Sequence, residues 1–289
     1  MISIGLSFYN AQSTLIYALR SIFAQSFQDF ELILINDGST DKSLDIVKKI
    51  DDPRVKVISD DKKLGLAARL NQIASIAKGE YLARMDADDI MFPNRLKVQH
   101  NFLKKNSEYD LVGSWLICID SKNIPASLRS APERPESFYQ IFKGGVLYHP
   151  SILGRTNWFN KNQYNIKCKN IEDFELWTRC SKKINIYNIC EPLLFYRQHN
   201  FYPWNKYKDR SKLAQKIISI HGPVTIGRSK TLLLILRRKV IETVYMSLNY
   251  LGLWKITYKL HTISLSDDVI SYYNNIICQI GDTIIPGID

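Results

Sequence analysis

The first part of the chain alternates between strand-like and helix-like patterns, and this alternation limits the fold more than any other feature. Strand-like runs rich in β-branched and apolar residues cover residues 2–7, 30–35 and 55–59. Apolar residues at helical spacing follow each run, and Gly79 closes the third helix before a fourth strand that starts at Tyr81. The pattern predicts an α/β fold with a mostly parallel, Rossmann-like sheet and helices on both faces.

Polar residues follow three of the predicted strands. Tyr9 and Asn10 come after the first, Asp37 after the second, and acidic residues 86–89 after the fourth. Ligands of such sheets bind beyond the carboxyl ends of the strands, so we expect these groups to share one crevice. The first turn, SFYNAQS, has neither the glycine-rich dinucleotide pattern nor a P-loop. A nucleotide bound here would therefore have its diphosphate held by a metal ion.

The fourth strand ends in Asp86, Asp88 and Asp89. Neighbouring carboxylates repel one another unless a cation lies between them. Mg²⁺ and Mn²⁺ accept carboxylate oxygens and keep positions open for substrate phosphates. The alternative is an acidic turn that caps the next helix. The three residues alone leave both interpretations open.

Composition indicates an ordinary globular protein in a reducing compartment. The chain has 289 residues, of which 45% are hydrophobic. Its five cysteines are scattered and form no CxxC pair, which argues against a disulfide framework and a zinc site. We expect no secretory signal, because the first apolar run is interrupted early, and no membrane-spanning run, because the longest apolar candidate is 232–236. We expect a cytoplasmic protein.

The formal net charge of +11 predicts an anionic partner, which could be nucleic acid, anionic lipid or a phosphorylated small molecule. Residues 206–289 contain twelve basic and six acidic residues, and therefore more than half of the excess. An apolar stripe there lies beside three consecutive basic residues, 237–239; it comprises Leu232, Leu233, Leu236, Val240 and Val244. This pattern is typical of a helix on an anionic membrane, and equally of a helix packed on its own domain with a solvated basic face.

Four stretches occur in a fixed order: ISIGLSFYN, LILINDGSTD, KLGLAARLNQIASIAKGEYLARMDADD and IEDFELW. Together they resemble glycosyltransferase family 2, and the resemblance covers roughly the first 200 residues. It implies a GT-A fold, with a catalytic domain at 1–205 and a basic, helical C-terminal extension at 206–289. Within the catalytic domain, residues 1–110 would form the nucleotide-sugar half and residues 111–205 the acceptor-side half.

The resemblance also implies a donor site, formed by Ser7, Tyr9, Asn10, Asp37, Arg69 and Asp86. In similar enzymes the carboxylate at the position of Asp37 accepts the imide N–H of uracil, and an aromatic residue such as Tyr9 stacks on the base. The residues themselves leave alternatives open. Tyr9 could be a helix-entry residue over the core, Asp37 a turn former, and Arg69 a solvent-facing charge.

The remaining assignments concern the metal and the acceptor. The resemblance makes Asp88 and His199 ligands of Mn²⁺ or Mg²⁺, and Asp173 the catalytic base. Asp89 would support the loop, and Glu172 and His149 are further acceptor-side or supporting candidates. Helix capping explains the acidic pair 172–173 equally well, and a lone histidine such as His149 is commonly a hydrogen-bonded structural residue.

The implied function is inverting, metal-dependent transfer of a hexose from a nucleotide sugar, a UDP-sugar, to a hydroxyl of a glycan. The expected acceptor is a polyprenyl-diphosphate-linked saccharide of bacterial O-antigen, capsule or lipopolysaccharide synthesis, at the inner face of the cell membrane. One alternative is a nucleotidyltransferase acting on sugar phosphates, although the basic, glycine-rich turn of that class is missing. The other is a nucleic-acid-binding protein, but no recognised module is visible, so we expect no nucleic-acid partner.

Overall fold

The computed structural model describes residues 1–198, 204–253 and 262–289. The alternating part consists of β1 (Ile2–Phe8), α1 (Leu15–Phe23), β2 (Phe30–Asn36), α2 (Ser43–Lys48), β3 (Val55–Ser59), α3 (Leu66–Ile76) and β4 (Tyr81–Asp86). β1 lies between β2 and β4, β3 pairs with β2 on the outside, and all four strands are parallel. The predicted α/β fold is confirmed.

The sheet becomes mixed beyond β4. The next elements are β5 (Ile90–Met91), α4 (Arg95–Lys105), β6 (Leu111–Ile119), β7 (Pro125–Arg129), α5 (Phe138–Lys143), a 3₁₀ turn (His149–Ser151), β8 (Leu153–Arg155), α6 (Thr156–Lys161), α7 (Glu172–Cys180) and β9 (Ile186–Arg197). β8 lies antiparallel between β4 and β6, while β9 runs parallel to β6. This connection joins β6 and β9 to the parallel strands in one sheet.

The C-terminal region is helical, as predicted. It contains α8 (Trp204–Thr225), α9 (Arg228–Tyr250), the short edge strand β10 (Ile263–Ser264) and α10 (Asp267–Gly281). α8 and α9 form a hairpin that packs on α5 and α7, whereas α10 packs on α1 and β7. No helix in the described part of the chain is long and apolar enough to cross a membrane.

The region from 125 to 135 is more regular than its prolines indicate. Pro125, Pro132 and Pro135 predict irregular structure there, but residues 125–129 form β7, which pairs antiparallel with β6; residues 130–135 are irregular, as predicted. Pro125 is the first residue of this strand. Proline at the first position of a strand is tolerated, although it has no backbone N–H to give to the ladder.

The two faces of β1, the strand between β2 and β4, pack against different helices. Its apolar residues Ile2, Ile4 and Leu6 are fully buried in the main core cluster, where they meet the inner face of α1. On the opposite face a Cβ on Gly5 would overlap with the side chain of Ile73 in α3. The absence of a side chain at Gly5 therefore sets how closely α3, which carries Arg69, approaches the sheet.

Candidate active site

A cleft of about 370 Å³ lies beyond the carboxyl ends of β1 and β4. The two strands are neighbours, and Ser7 in β1 stands opposite Asp86 in β4. The sequence-predicted residues that line the cleft are Ser7, Tyr9, Asn10, Asp86 and Asp88. The parallel pairing of β1 with β4 thus brings residues almost 80 positions apart in sequence into one crevice.

Asn10 joins the loop after β1 to the loop after β2. It has a left-handed backbone conformation with φ of 48°, which asparagine adopts more readily than most residues. The Asn10 side-chain amide donates to Thr40 Oγ1 at 3.2 Å, and its carbonyl oxygen accepts from the Thr40 backbone N–H at 2.8 Å. The Asp37 N–H also donates to the Phe8 carbonyl at 2.8 Å. The two loops are therefore held together at the mouth of the cleft.

Asp37 is a buried carboxylate with several donors around it. Its Oδ1 accepts from Arg69 Nε at 2.9 Å and from the backbone N–H of Leu64 at 2.8 Å. The Gly65 N–H lies 3.1 Å from both carboxylate oxygens. Arg69 is fully buried and also pairs with Asp60 at 2.6 Å, so it is not a solvent-facing charge. Hydrogen bonding to Arg69 lowers the pKa of Asp60 to about 2.

Tyr9 is exposed at the edge of the cleft and does not cover the core. The Lys63 ammonium lies 3.5 Å from the centroid of the Tyr9 ring, which is a cation–π contact. A planar group entering the cleft would meet this ring and its cation at the cleft edge. The aromatic face and the positive charge are both suited to a nucleotide.

The three carboxylates at the end of β4 form a compact cluster. One oxygen from each of Asp86, Asp88 and Asp89 lies within 4.8 Å of the others. Asp89 is fully buried; its Oδ1 accepts from the Arg197 N–H at 2.8 Å, but its Oδ2 has no hydrogen-bond partner among the described residues. Burial, together with the charges of Asp88 and Asp86, holds the pKa of Asp89 well above its usual range. Burial also raises the pKa of Asp86, although Arg84 opposes this shift.

This donor set suits a hard divalent cation. All three residues offer carboxylate oxygens, and Asp89 also has a buried Oδ2 without a hydrogen-bond partner among the described residues. The capping alternative does not fit the geometry, because α4 begins only at Arg95 and the side chain of its N-cap residue, Asn94, makes no capping hydrogen bond. Asp89 instead bonds to β9.

Three buried arginines support the cluster, and sequence reasoning missed all of them. Arg84 pairs with Asp86. Arg95 donates to the Arg84 carbonyl at 2.9 Å, and burial lowers the pKa of Arg95 to about 9. Arg197 Nε donates to the Asp88 carbonyl at 2.8 Å. The available signal was a charged residue, Arg84, at an interior position of an otherwise apolar strand, since charges at such positions are buried only when they are paired.

Asp173 and Glu172 lie in the first turn of α7. The negative charge of Asp173 contributes to the raised pKa of Asp86, so the two carboxylates are close enough to interact electrostatically. Asp173 Oδ1 accepts from the Phe174 N–H at 2.7 Å. Glu172 is buried, and burial raises its pKa. The helix N-terminus favours both negative charges.

His149 is buried beneath the site. Its Nε2 lies 2.9 Å from the hydroxyl of Tyr164, and its ring meets Trp177 edge-on. Burial lowers the pKa of His149 well below its usual value, so the ring is neutral at pH 7. The backbone of Tyr164 is held by two hydrogen bonds, of 2.8 and 2.9 Å, to the side chain of Asn71 in α3. His199 lies outside the described residues.

Comparison with known proteins agrees with this geometry. The model of the family "Glycosyl transferase family 2" matches residues 3–173, which is more than half of the chain. The Bacillus subtilis protein EpsE is 34% identical over 204 residues, which cover 68% of this chain and 73% of EpsE. WfaP of Escherichia coli, a UDP-Glc:α-D-GlcNAc-diphosphoundecaprenol β-1,3-glucosyltransferase, is 28% identical over 225 residues, 76% of this chain and 86% of WfaP.

Solved structures show the same fold. TarS 1–349 of S. aureus in complex with UDP-GlcNAc matches with a TM-score of 0.63 at 20% identity, over 82% of this chain and 72% of that chain. This likeness supports the predicted GT-A type of fold. From the family match and these relatives we conclude that the chain belongs to glycosyltransferase family 2 and is a glycosyltransferase.

Proposed function

We propose that this protein transfers a hexose from a UDP-sugar, with inversion, to a hydroxyl of a polyprenyl-diphosphate-linked saccharide in bacterial surface-polysaccharide synthesis. The observation that carries the proposal is that the charge of Asp173 acts on Asp86, which belongs to the cluster of Asp86, Asp88 and Asp89. A base and a diphosphate-binding site must adjoin for one displacement to occur. Two similarities add support: WfaP is named for a diphosphoundecaprenol acceptor and UDP-Glc, and the TarS structure contains UDP-GlcNAc.

The donor would lie in the cleft at the ends of β1 and β4. Tyr9 would stack on the uracil ring. Lys63, which lies over the Tyr9 ring, would add positive charge near the nucleotide. Asp37 would accept the imide N–H through Oδ2, because Oδ1 takes the hydrogen bonds from Arg69 and Leu64, whereas Oδ2 shares only the Gly65 N–H with it. Asn10 would keep the two nucleotide-binding loops in register.

Asp88, with Asp86 and Asp89 beside it, would hold Mn²⁺ or Mg²⁺, and His199 is proposed as a further ligand. The cation would supply positive charge opposite the leaving diphosphate. Arg84, Arg95 and Arg197 would keep the carboxylates in place in the absence and presence of the ion, since their contacts involve only protein atoms. Asp89 would give its unpartnered Oδ2 to this site.

Asp173 would act as the general base. Its Oδ1 is engaged by the Phe174 N–H, so Oδ2 would take the proton from the acceptor hydroxyl. The hydroxyl oxygen would then attack the anomeric carbon from the face opposite the diphosphate. The C–O bond to the nucleotide breaks as the new glycosidic bond forms, which inverts the configuration at that carbon.

The test compares two variants with the wild-type protein. We expect Asp173→Asn to lower the transfer rate by about 10²- to 10⁴-fold, the usual contribution of a general base, while calorimetry still detects UDP binding with Mn²⁺. We expect Asp88→Ala to weaken metal-dependent UDP binding. Turnover is measured as release of UDP from UDP-sugars; release of pyrophosphate would instead indicate a nucleotidyltransferase.

A matched control is available on another helix. Asp268 is the second residue of α10, as Asp173 is of α7, and it is exposed. Asp268→Asn should leave transfer unchanged. Survival of transfer in Asp173→Asn would remove this residue as the base, and an unchanged UDP affinity in Asp88→Ala would remove Asp88 from the metal site.

A further inference from the structure

The outer face of α9 is an apolar surface without a cover in the described structure. We define it as the face formed by Leu232, Leu233, Leu236, Val240 and Val244. These five side chains are 50 to 62% exposed. Their spacing places them on one side of the helix, whereas the opposite side carries Thr231 and Leu234, which are buried against the rest of the protein. The stripe that the sequence indicates therefore points away from the catalytic domain.

Basic residues flank the outer face of α9 on both sides. At 3.6 residues per turn, Arg228 and Lys239 lie along one edge, and Lys230 and Arg237 along the other. All four are exposed. The one acidic residue of α9, Glu242, is turned towards α8, where it accepts from Ser211 Oγ at 2.9 Å and Gln215 Nε2 at 3.0 Å.

The charge of the whole hairpin supports an anionic occupant. Residues 204–250 contain ten basic and two acidic residues, a net charge of +8 out of +11 for the chain. A second copy of the chain would bring a surface of the same charge and would be repelled. Nucleic acid would satisfy the basic residues but would leave the apolar stripe in water. A bilayer with anionic headgroups satisfies both, because it takes the apolar side chains below the headgroups and the basic side chains at their level.

We propose that the outer face of α9 docks on an anionic lipid bilayer. This inference rests on the proposed function, because a polyprenyl-diphosphate-linked acceptor is confined to such a surface. The hairpin packs on α7, the helix that carries Asp173. Leu234 shares a buried cluster with Phe174, and the Arg238 guanidinium carbon lies 4.8 Å from the centroid of the Phe174 ring. Phe174 directly follows Asp173, so docking through α9 holds the acceptor base at the membrane surface.

Vesicle flotation of the full chain tests the docking surface. Phosphatidylcholine vesicles with phosphatidylglycerol should carry the wild-type protein, and vesicles of phosphatidylcholine alone should carry at least about tenfold less. Val240→Glu should lower binding to the anionic vesicles by about tenfold or more, because it places a charge in the apolar stripe. Ile166→Glu is the matched control, since Ile166 is 58% exposed on a loop before α7 and should leave binding unchanged.

A second pair of variants tests the basic edges. Arg237→Glu with Lys239→Glu should reduce binding by about tenfold or more, whereas Lys104→Glu with Lys105→Glu, at the exposed end of α4, should have little effect because that site lies outside the docking face. Equal loss in both double variants would overturn the proposal, since it would show a response to net charge alone. Flotation needs no donor sugar, so vesicle binding without UDP-sugar turnover would refute the proposed function and leave the docking surface standing.

Three other outcomes would also overturn the docking proposal. A wild-type protein that does not float with anionic vesicles would end it. So would sedimentation of the wild type as a dimer that Val240→Glu dissociates, because the occupant would then be a second copy. A large loss of thermal stability in Val240→Glu, without vesicle binding by the wild type, would mean that the chain covers its own stripe.

Discussion

At the scale of single residues, the site depends on buried charges that hold one another. Arg69 is fully buried beside Asp37, and Arg84 is buried beside Asp86. Such pairs contribute little net stability, but removal of one partner leaves an uncompensated charge and costs about 3–5 kcal/mol. The role of these ion pairs in the site is geometric, because the arginines hold the carboxylate oxygens in fixed positions.

His149 gives a prediction for the pH dependence of stability. Its folded pKa is held well below 6.5 by burial, so a proton binds the unfolded chain but not the folded protein as the pH falls below that value. The free energy of unfolding should therefore decrease below about pH 6.5, with a contribution of up to about 1.4 kcal/mol per pH unit. In His149→Gln this contribution should disappear.

Urea unfolding at several pH values between neutral and mildly acidic measures the effect. The difference between wild type and His149→Gln isolates this residue, because carboxylates such as Asp89 titrate in both proteins. The slope of the unfolding free energy against pH should differ most between the two proteins below about pH 6.5. Parallel pH profiles would contradict the assignment of a neutral, buried His149.

At the scale of elements, the packing of α3 on β1 positions Arg69. Gly5 leaves room for Ile73, which lies one helical turn after Arg69. We expect Gly5→Ala to cost about 1–3 kcal/mol of unfolding free energy, because the added methyl group overlaps with Ile73. UDP affinity should fall too, since α3 and its arginine would shift.

A double-mutant cycle in denaturant unfolding checks this prediction. Ile73→Ala removes the atoms that the new Cβ would meet, so Gly5→Ala should cost much less in that background than in the wild type. An equal cost in both backgrounds would show that the contact with Ile73 does not limit the approach of α3 to the sheet.

At the scale of the whole molecule, the C-terminal segment returns to the N-terminal part of the chain. Ile285 is fully buried in the main core cluster, and the Asp51 N–H donates to the Pro286 carbonyl at 2.8 Å. Arg20 in α1 pairs with Asp289 at 2.6 Å. The end of the proposed extension thus packs on the first two helices, while the boundary at 205 and 206 stays a prediction.

A neighbouring pair of isoleucines tests this contact. Ile285→Ala should lower the free energy of unfolding by about 2–5 kcal/mol, as expected for a buried isoleucine. Ile284→Ala should change it by less than about 0.5 kcal/mol, because Ile284 is 71% exposed whereas Ile285 is 0% exposed. Equal, small effects of both substitutions in denaturant unfolding would show that this segment does not contribute to the core.

Local sequence patterns were enough to predict the order of strands and helices from β1 to β4 and the positions of the acidic motifs. Both follow from local information: the period of apolar residues along the chain, and short motifs at 7–10, 36–41, 86–89 and 172–173. The bounds of β3 agree with those expected from the sequence, because turn residues and charges mark its ends.

Contacts between residues far apart in sequence depend on the tertiary fold. Arg197 holds the backbone of Asp88 across 109 positions, a contact that no local pattern encodes. The outer face of α9 is a second case. One helix has the same apolar period whether its stripe faces its own core or solvent, so the direction depends on which side the catalytic domain covers. Here the domain covers the side of Leu234, and the stripe with Val240 is left outside.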